Sequence, residues 1–394
     1  MHYIRFLRPP AIDVQKGQSS LSLVLVVSTD LGDALLSVNS PLALTLCLFT
    51  QGRDEGHQLK PEFKTNLSWK PGARVLKISI PIPTKPWKQM LIRPADINIA
   101  ARQFSRLASP SGNVRGTPGL IVPVWFDFSQ GNRTEGRTDV CLRKLHLVED
   151  IVLEFEEEFG DSIARHVWDG GLAAVSFLTQ TLGNLGNENR FAGSMPCLES
   201  MIRQQRPLNI IEVGCGVGVL GTGLSGLLTT SRQEEDYLGQ YRFLMTDIVE
   251  AEERAMANIQ GFLESQEKAE RKTPQMKYEN LDWEDGREGK FDESVMSPSW
   301  DVVIISDCTY NTDTIPSLVE TLSQLESKTT SQNKLPREHP LRIFLATKPR
   351  HSSERAFFDL MPTHGWVVKE QTTVYLLHTG SEPDLVELYL FERK

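Results

Sequence analysis

At 394 residues the chain is long for one domain, and two is the natural expectation. Lys and Arg number 42 against 51 Asp and Glu, a formal net charge of −9. That balance argues against a broad nucleic-acid-binding face, which needs clustered cations, and favours a basic partner instead.

The first ten residues lack the apolar core of a signal peptide, and the longest apolar run, Leu21–Val27, is far too short to span a bilayer. Five cysteines stand scattered, none in a C-x-x-C or Cys/His zinc spacing, so no structural metal is expected and a reducing compartment suits them. The expectation is a soluble protein of cytosol or nucleus with no membrane partner.

Residues 1–145 read as a β-rich domain, a sandwich or small barrel. β-Branched and aliphatic runs recur at Leu21–Ser28, Leu42–Thr50, Arg74–Ile80 and Leu120–Phe126, divided by Pro61, Pro71, Pro81, Pro83 and Pro86. The third of these looks buried on both faces. Ala95–Leu107 is expected as a helix and Ser109–Pro118 as a loop. The acidic run Glu154, Glu156, Glu157 and Glu158 reads as a solvated face.

From 146 to 394 helices and strands alternate, the pattern of a doubly wound, mostly parallel sheet. A helix is expected over Trp168–Leu182, then the strand Leu208–Val213, the helix Gly218–Leu228 and the strand Arg242–Thr246. Next come the helix Glu250–Glu264, the short strand Met276–Asn280 and the almost wholly apolar strand Asp301–Ser306. The helix Ile315–Leu325, the strand Arg342–Thr347, the helix Ser353–Leu360 and the strands Val367–Thr373 and Leu385–Glu392 complete the series. Polar insertions are expected at Gly183–Pro196, Thr229–Gln240, Gln266–Gln275 and Ser327–Pro340.

The sharpest signal is Glu212-Val-Gly214-Cys-Gly216-Val-Gly218, where an apolar strand enters a glycine-spaced turn and then an apolar helix. Glycines permit positive φ and close approach of backbone to a ligand. The spacing differs from the G-x-G-x-x-G of dinucleotide sites. A carboxylate at Glu212 would repel a pyrophosphate but suits the cationic amino-acid end of S-adenosylmethionine; a nucleotide site and a ligand-free turn are the alternatives. Asp247 ends the next strand, where an acid accepts hydrogen bonds from a ribose diol or simply caps a helix. After the third strand Asp282 can accept from an adenine amino group, and Trp283 can stack beside the ring.

Asp307-Cys-Thr-Tyr310 follows the fourth strand. With the glycine turn, Asp282-Trp283 and His166-Val-Trp168-Asp169-Gly-Gly-Leu, it resembles the seven-strand (class I) protein-lysine methyltransferase group, over about 145–394. That group carries an acid-x-x-aromatic motif after its fourth strand and a tryptophan-bearing helix before its first. Lys348-Pro-Arg350-His351 is loosely similar to its basic segment. The resemblance implies a seven-stranded Rossmann-like sheet that binds S-adenosylmethionine. Trp168, Glu212, Gly214, Gly216, Gly218, Asp247, Asp282, Trp283 and Asp307 would hold the cofactor. Asp307 would orient the acceptor amine and Tyr310 would wall its channel. The implied partner is a non-histone protein with an accessible lysine, and no nucleic acid. A small-molecule methyltransferase and a catalytically silent cofactor-binding protein are the competing readings. Cys215 and Cys308 read as small fillers.

Overall fold

Lys16 and Gly17 both take positive φ, 48° and 78°, and close a two-residue turn between β1 (His2–Gln15) and β2 (Gln18–Ser28). β2 also pairs with β5 (Leu76–Ile82), and β1 pairs in parallel with β8 (Ile121–Val122), giving the sheet order β5-β2-β1-β8. A second sheet runs β11-β10-β9-β6-β3-β4, built from β3 (Leu42–Phe49), β4 (Phe63–Trp69), β6 (Gln89–Pro94), β9 (Val124–Asp127), β10 (Val140–Val148) and β11 (Ile151–Glu158). Side chains alternate across a strand, so Leu21, Leu23, Leu25 and Val27 of β2 share one core with Leu44, Leu46 and Leu48 of β3 and Met90 and Ile92 of β6.

The computed structural model describes residues 1–51, 60–110, 119–129, 140–148, 151–160, 162–182, 191, 193–204, 206–231, 241–331, 340–377 and 384–394. The loop expected at 111–118 and the insertions expected around 183–190, 232–240 and 332–339 lie outside them. By contacts the chain forms two units. One comprises Met1–Leu107, Asn113–His166 and Leu377–Asp384; the other comprises Ala108–Gly112, Val167–Leu376 and Leu385–Lys394. The β-rich unit thus runs on to His166, past the boundary expected at 145, because β11 pairs along its whole length with β10.

Three further expectations for this unit change. Ala95–Leu107 is not a helix: two 3-10 turns, Ile97–Ile99 and Phe104–Arg106, flank a stretch in which Ala100 and Gln103 bridge in parallel to Ile121 and His146. Strand pairing there outweighs helical propensity. β5 alternates half-buried and exposed residues until Ile82, so only one face is covered. The acidic run is not uniformly solvated, since Glu157 is buried and ion-paired with Arg143 at 2.5 Å. Arg143 also donates to the carbonyls of Pro123 (2.8 Å) and Val122 (3.4 Å).

The second unit holds one eight-stranded sheet in the order β14-β13-β12-β15-β16-β18-β17-β7. Its strands are β7 (Ala108–Ser109), β12 (Asn209–Val213), β13 (Arg242–Asp247), β14 (Gln275–Asn280), β15 (Val302–Ser306), β16 (Arg342–Thr347), β17 (Trp366–Leu376) and β18 (Asp384–Arg393). β12 to β16 run parallel and β18 is antiparallel to β16. The eighth strand, absent from the seven expected, is β7, which pairs Ala108 with Leu376 and Ser109 with Tyr375. Two residues carry no periodicity to read.

Both faces of the central parallel strands are covered, which explains the apolar runs Phe243–Met245, Val302–Ile305 and Ile343–Ala346, whereas in the edge strand β14 only Met276 is buried. Ile211, Val303, Ile305 and Ile343 pack with Leu318 and Leu322 of α7 (Ile315–Ser331). On the other face Ile210, Ile304 and Phe344 meet Leu178 of α1 (Asp169–Leu182) and Leu198 of α2 (Pro196–Arg203), with Leu224 of α3 (Val219–Ser231). α2 was not expected; its first N–H groups, on Cys197 and Leu198, donate to the Glu370 carboxylate (2.6 and 3.1 Å). α4 (Val249–Lys268), α5 (Trp283–Arg287), α6 (Glu293–Met296) and α8 (Ala356–Leu360) complete the unit.

Breaking a buried ion pair from one side strands a charge. Arg143→Leu should therefore lower the unfolding free energy by about 3–5 kcal/mol, read from urea denaturation. Arg143→Leu with Glu157→Leu should recover most of that loss.

Candidate active site

β12 sits between β13 and β15, so the chain builds outward on one side of it and then crosses to the other. Such a switch point leaves a crevice at the carboxyl ends of the strands. Every residue singled out after a strand lies there: Glu212–Gly218 at and beyond the end of β12, Asp247 at the end of β13, Asp282-Trp283 after β14, and Asp307–Tyr310 after β15. Parallel register brings the four ends level.

The glycine turn has the conformation its composition allows, with φ of 72°, 54° and 84° at Gly214, Gly216 and Gly218. At Gly214 the need is also steric, because a Cβ would collide with Cys308 Sγ and come within 3.1 Å of the Trp283 ring. The turn is tied to the next strand: the N–H groups of Gly214 and Cys215 donate to the Thr246 carbonyl (2.9 and 3.0 Å), and Gly216 N–H donates to Asp247 Oδ2 (2.7 Å). Asp247 Oδ1 accepts from Ile248 N–H (2.7 Å). Each oxygen retains a second lone pair, the requirement for gripping a diol. Burial pushes the Asp247 carboxyl up to about 6.

Glu212 is buried, and its Oε2 accepts from Gly221 N–H of α3 at 3.0 Å. Its Oε1 is buried with no hydrogen-bond partner among the described residues. Burial pushes this carboxyl up to about 8. Asp282 is exposed and caps α5 by accepting from Glu284 N–H (2.9 Å), while Trp283 is half-buried against the core behind the turn.

Asp307 is the most constrained residue of the site. It takes φ 51°, rare for a non-glycine, while its N–H donates to Ala346 O (2.9 Å). Its buried carboxylate accepts four hydrogen bonds: from Gly170 N–H (2.6 Å), Lys348 N–H (2.9 Å), and Arg350 Nη1 and Nη2 (3.2 and 3.3 Å). A Cβ on Gly170 would come within 2.6 Å of that carboxylate. Arg350 in turn lies 5.4 Å from the half-buried Trp168 ring, a cation–π distance. Beside this, Lys348 Nζ meets the buried Asp169 carboxylate at 2.8 Å. Tyr310 stands at the surface, 46% exposed. Sequence reasoning missed Gly170, the Asp169–Lys348 pair and the Arg350 clamp; the Asp-Gly-Gly at the start of α1 was the available signal.

A sequence profile described as lysine methyltransferase matches residues 147–364, more than half of the chain. The chain belongs to that lysine methyltransferase family. It is an enzyme, a methyltransferase that depends on S-adenosylmethionine. The chain is also similar to a UPF0665 family protein of Schizosaccharomyces pombe, 22% identical over 389 residues, spanning 95% of this chain and 98% of the relative. Among solved structures it is similar to a putative RNA methyltransferase from Pyrococcus horikoshii (14% identity, TM-score 0.33, 54% of this chain and 87% of that one). Another is the Pyrococcus abyssi tRNA (uracil-54, C5)-methyltransferase in complex with S-adenosyl-L-homocysteine (12% identity, TM-score 0.34, 64% and 44%).

The residues present fit the cofactor of this methyltransferase. A bare main chain at 214–218, a half-paired carboxylate at Asp247 and a buried unpaired oxygen on Glu212 match a ligand that carries a ribose and a cationic tail. Asp247 yields a pH test. A carboxyl raised to about 6 must lose its proton before both oxygens can accept from a diol. Below that value Asp247 should add a loss of about tenfold per pH unit to the affinity for S-adenosylhomocysteine, measured by calorimetry, on top of the loss that Glu212 gives below about 8. In Asp247→Asn the slope should flatten and binding at neutral pH should weaken.

Proposed function

We propose that this methyltransferase modifies the ε-amine of lysine in a non-histone protein of the cytosol or nucleus. The observation that carries the reading is the position of the Asp307–Tyr310 motif. Cys308 Sγ lies 3.5 and 3.4 Å from the carbonyl oxygens of Val213 and Gly214, so the motif abuts the glycine turn. An acceptor held by that motif meets whatever the turn holds.

S-adenosylmethionine supplies an electrophilic methyl group on a sulfonium. The protein must present a neutral amine in line with it, and a lysine of pKa ~10.4 is mostly protonated at neutral pH. Tyr310 forms an exposed aromatic wall along which the aliphatic stem of a lysine can lie, and water takes the proton. Asp307 cannot act as a vacant acceptor: a carboxylate offers about four lone-pair sites, and four donors already occupy them. Its role is therefore positioning. It fixes the turn that carries Tyr310 and, through Arg350, the ring of Trp168. The surface exposure of Tyr310 supports a polypeptide acceptor over an enclosed metabolite.

Wild-type protein incubated with cell lysate and methyl-labelled cofactor should label a discrete protein band, and acid hydrolysis should return the label as methyl-lysine. Label confined to the small-molecule fraction would reject the protein-lysine reading. Asp307→Asn should lose about 100-fold or more in turnover, the scale of a misplaced reacting group, with S-adenosylhomocysteine affinity within a few-fold of wild type. Undiminished turnover would remove Asp307 from the mechanism.

A further inference from the structure

Beyond Asp307, on the side away from the glycine turn, a cavity of about 250 Å³ opens between the ends of β15, β16 and β18. Thr309 and Thr347 form its floor, their buried hydroxyls 2.9 Å apart. Glu387, in register with Thr347, stands on the β18 wall. Its side chain is only 14% exposed and accepts a hydrogen bond from the Tyr389 hydroxyl at 2.8 Å. Across from it, at the end of the short Ser352–Arg355 turn, Arg355 is 56% exposed and reaches Glu387 at 3.3 and 3.4 Å, its guanidinium 5.2 Å from the Phe358 ring.

The two halves of this ion pair are unequal. The anion is fixed by a strand and by a tyrosine, whereas the cation is a long, exposed side chain held at the outer limit of hydrogen bonding. Its contacts with Glu387 and with the Tyr389 hydroxyl (3.4 Å) are all long and open to solvent on the cation's side, so another cation can replace Arg355. Arg350, also in the wall, is neutralised by Asp307. With Arg355 swung out, the lining is net acidic through Glu387 and Glu354. The cavity is smaller than the ~300 Å³ at which small-molecule pockets begin and suits one long side chain. Phe358 offers a face to its stem or its charge.

We propose that this cavity is a substrate subsite that receives a Lys or Arg side chain next to the acceptor lysine, with Glu387 as its anchor and Arg355 as the internal stand-in that the substrate displaces. The inference rests on the protein-lysine reading and deepens it: the enzyme selects lysines with a basic neighbour, in keeping with the chain's net charge of −9.

The test uses the full-length chain and synthetic peptides, each with one lysine in an alanine–glycine background and a single Arg or Glu placed in turn at each neighbouring position. Wild type should show kcat/KM about tenfold or more higher for Arg than for Glu at one position, the scale of one charge-assisted contact. Glu387→Gln should bring that ratio within about twofold. Arg355→Ala should keep or raise the rate on the Arg-bearing peptide, whereas a merely structural Arg355 would lower it. S-adenosylhomocysteine affinity close to wild type certifies the fold of both variants. A preference that survives Glu387→Gln, equal rates on all peptides, or labelling of lysate lysines with every peptide ignored overturns the subsite alone. Absence of methyl-lysine from every wild-type reaction overturns the protein-lysine reading, and this proposal with it.

Discussion

The second unit depends on one buried carboxylate. Asp307 carries a charge out of solvent and a left-handed backbone conformation worth about 1–3 kcal/mol of strain. Neither persists without the four donors that surround it, and these come from distant places in the chain: Gly170 at the first turn of α1, and Lys348 and Arg350 just beyond β16. A second buried pair, Asp169 with Lys348, joins the same two segments. Residues 169–170 and 348–350 are thus fastened twice, and Trp168 is held under Arg350 as a result. The helix entry, the motif after β15 and the exit of β16 cannot shift separately.

Around that anchor the carboxyl ends of the strands divide their work. β12, β13 and β14 carry the glycine turn, Asp247 and Trp283, where a main chain without side chains and half-paired carboxyls fit a cofactor. β15, β16 and β18 carry Tyr310, the paired threonine hydroxyls and Glu387, the side proposed to receive an acceptor. On the cofactor side, burial pushes Glu212 and Asp247 up to about 8 and about 6. A cationic ligand arriving beside them lowers both and releases protons, so binding and ionisation are linked.

The second unit was readable because its physics is local. Strands covered on both faces are largely apolar, as Val302–Ile305 shows at once, and Glu212 stands out in its strand for that reason; the loops after them then fall at the crevice by topology. What was not readable is long-range. Nothing near Asp307 in sequence announces a partner 137 residues earlier, nor that four donors of the protein itself would meet the carboxylate expected to orient an amine. Asp282 was foreseen beside adenine, and its visible contact is a helix cap. In the β-rich unit two things mislead: a strand covered on one face, such as β5, resembles one buried on both, and Ala100 and Gln103 form bridges that their own propensity does not favour. Glu157 was hidden inside an acidic run whose other members stay partly solvated.

Each unit is compact in space but drawn from separate stretches of the sequence. The dipeptide Ala108–Ser109 is the outermost strand of the eight-stranded sheet, and the Ala108 main chain bonds Ser176 and Gln180 of α1 (3.1 and 3.0 Å), yet it is encoded in the middle of the β-rich segment. Leu377–Asp384 is lent in the opposite direction. No single scission therefore liberates either unit whole. Fragments cut at the apparent junction inherit an unpaired sheet edge, and genetic exchange can transplant this catalytic unit into another protein only by carrying its companion along.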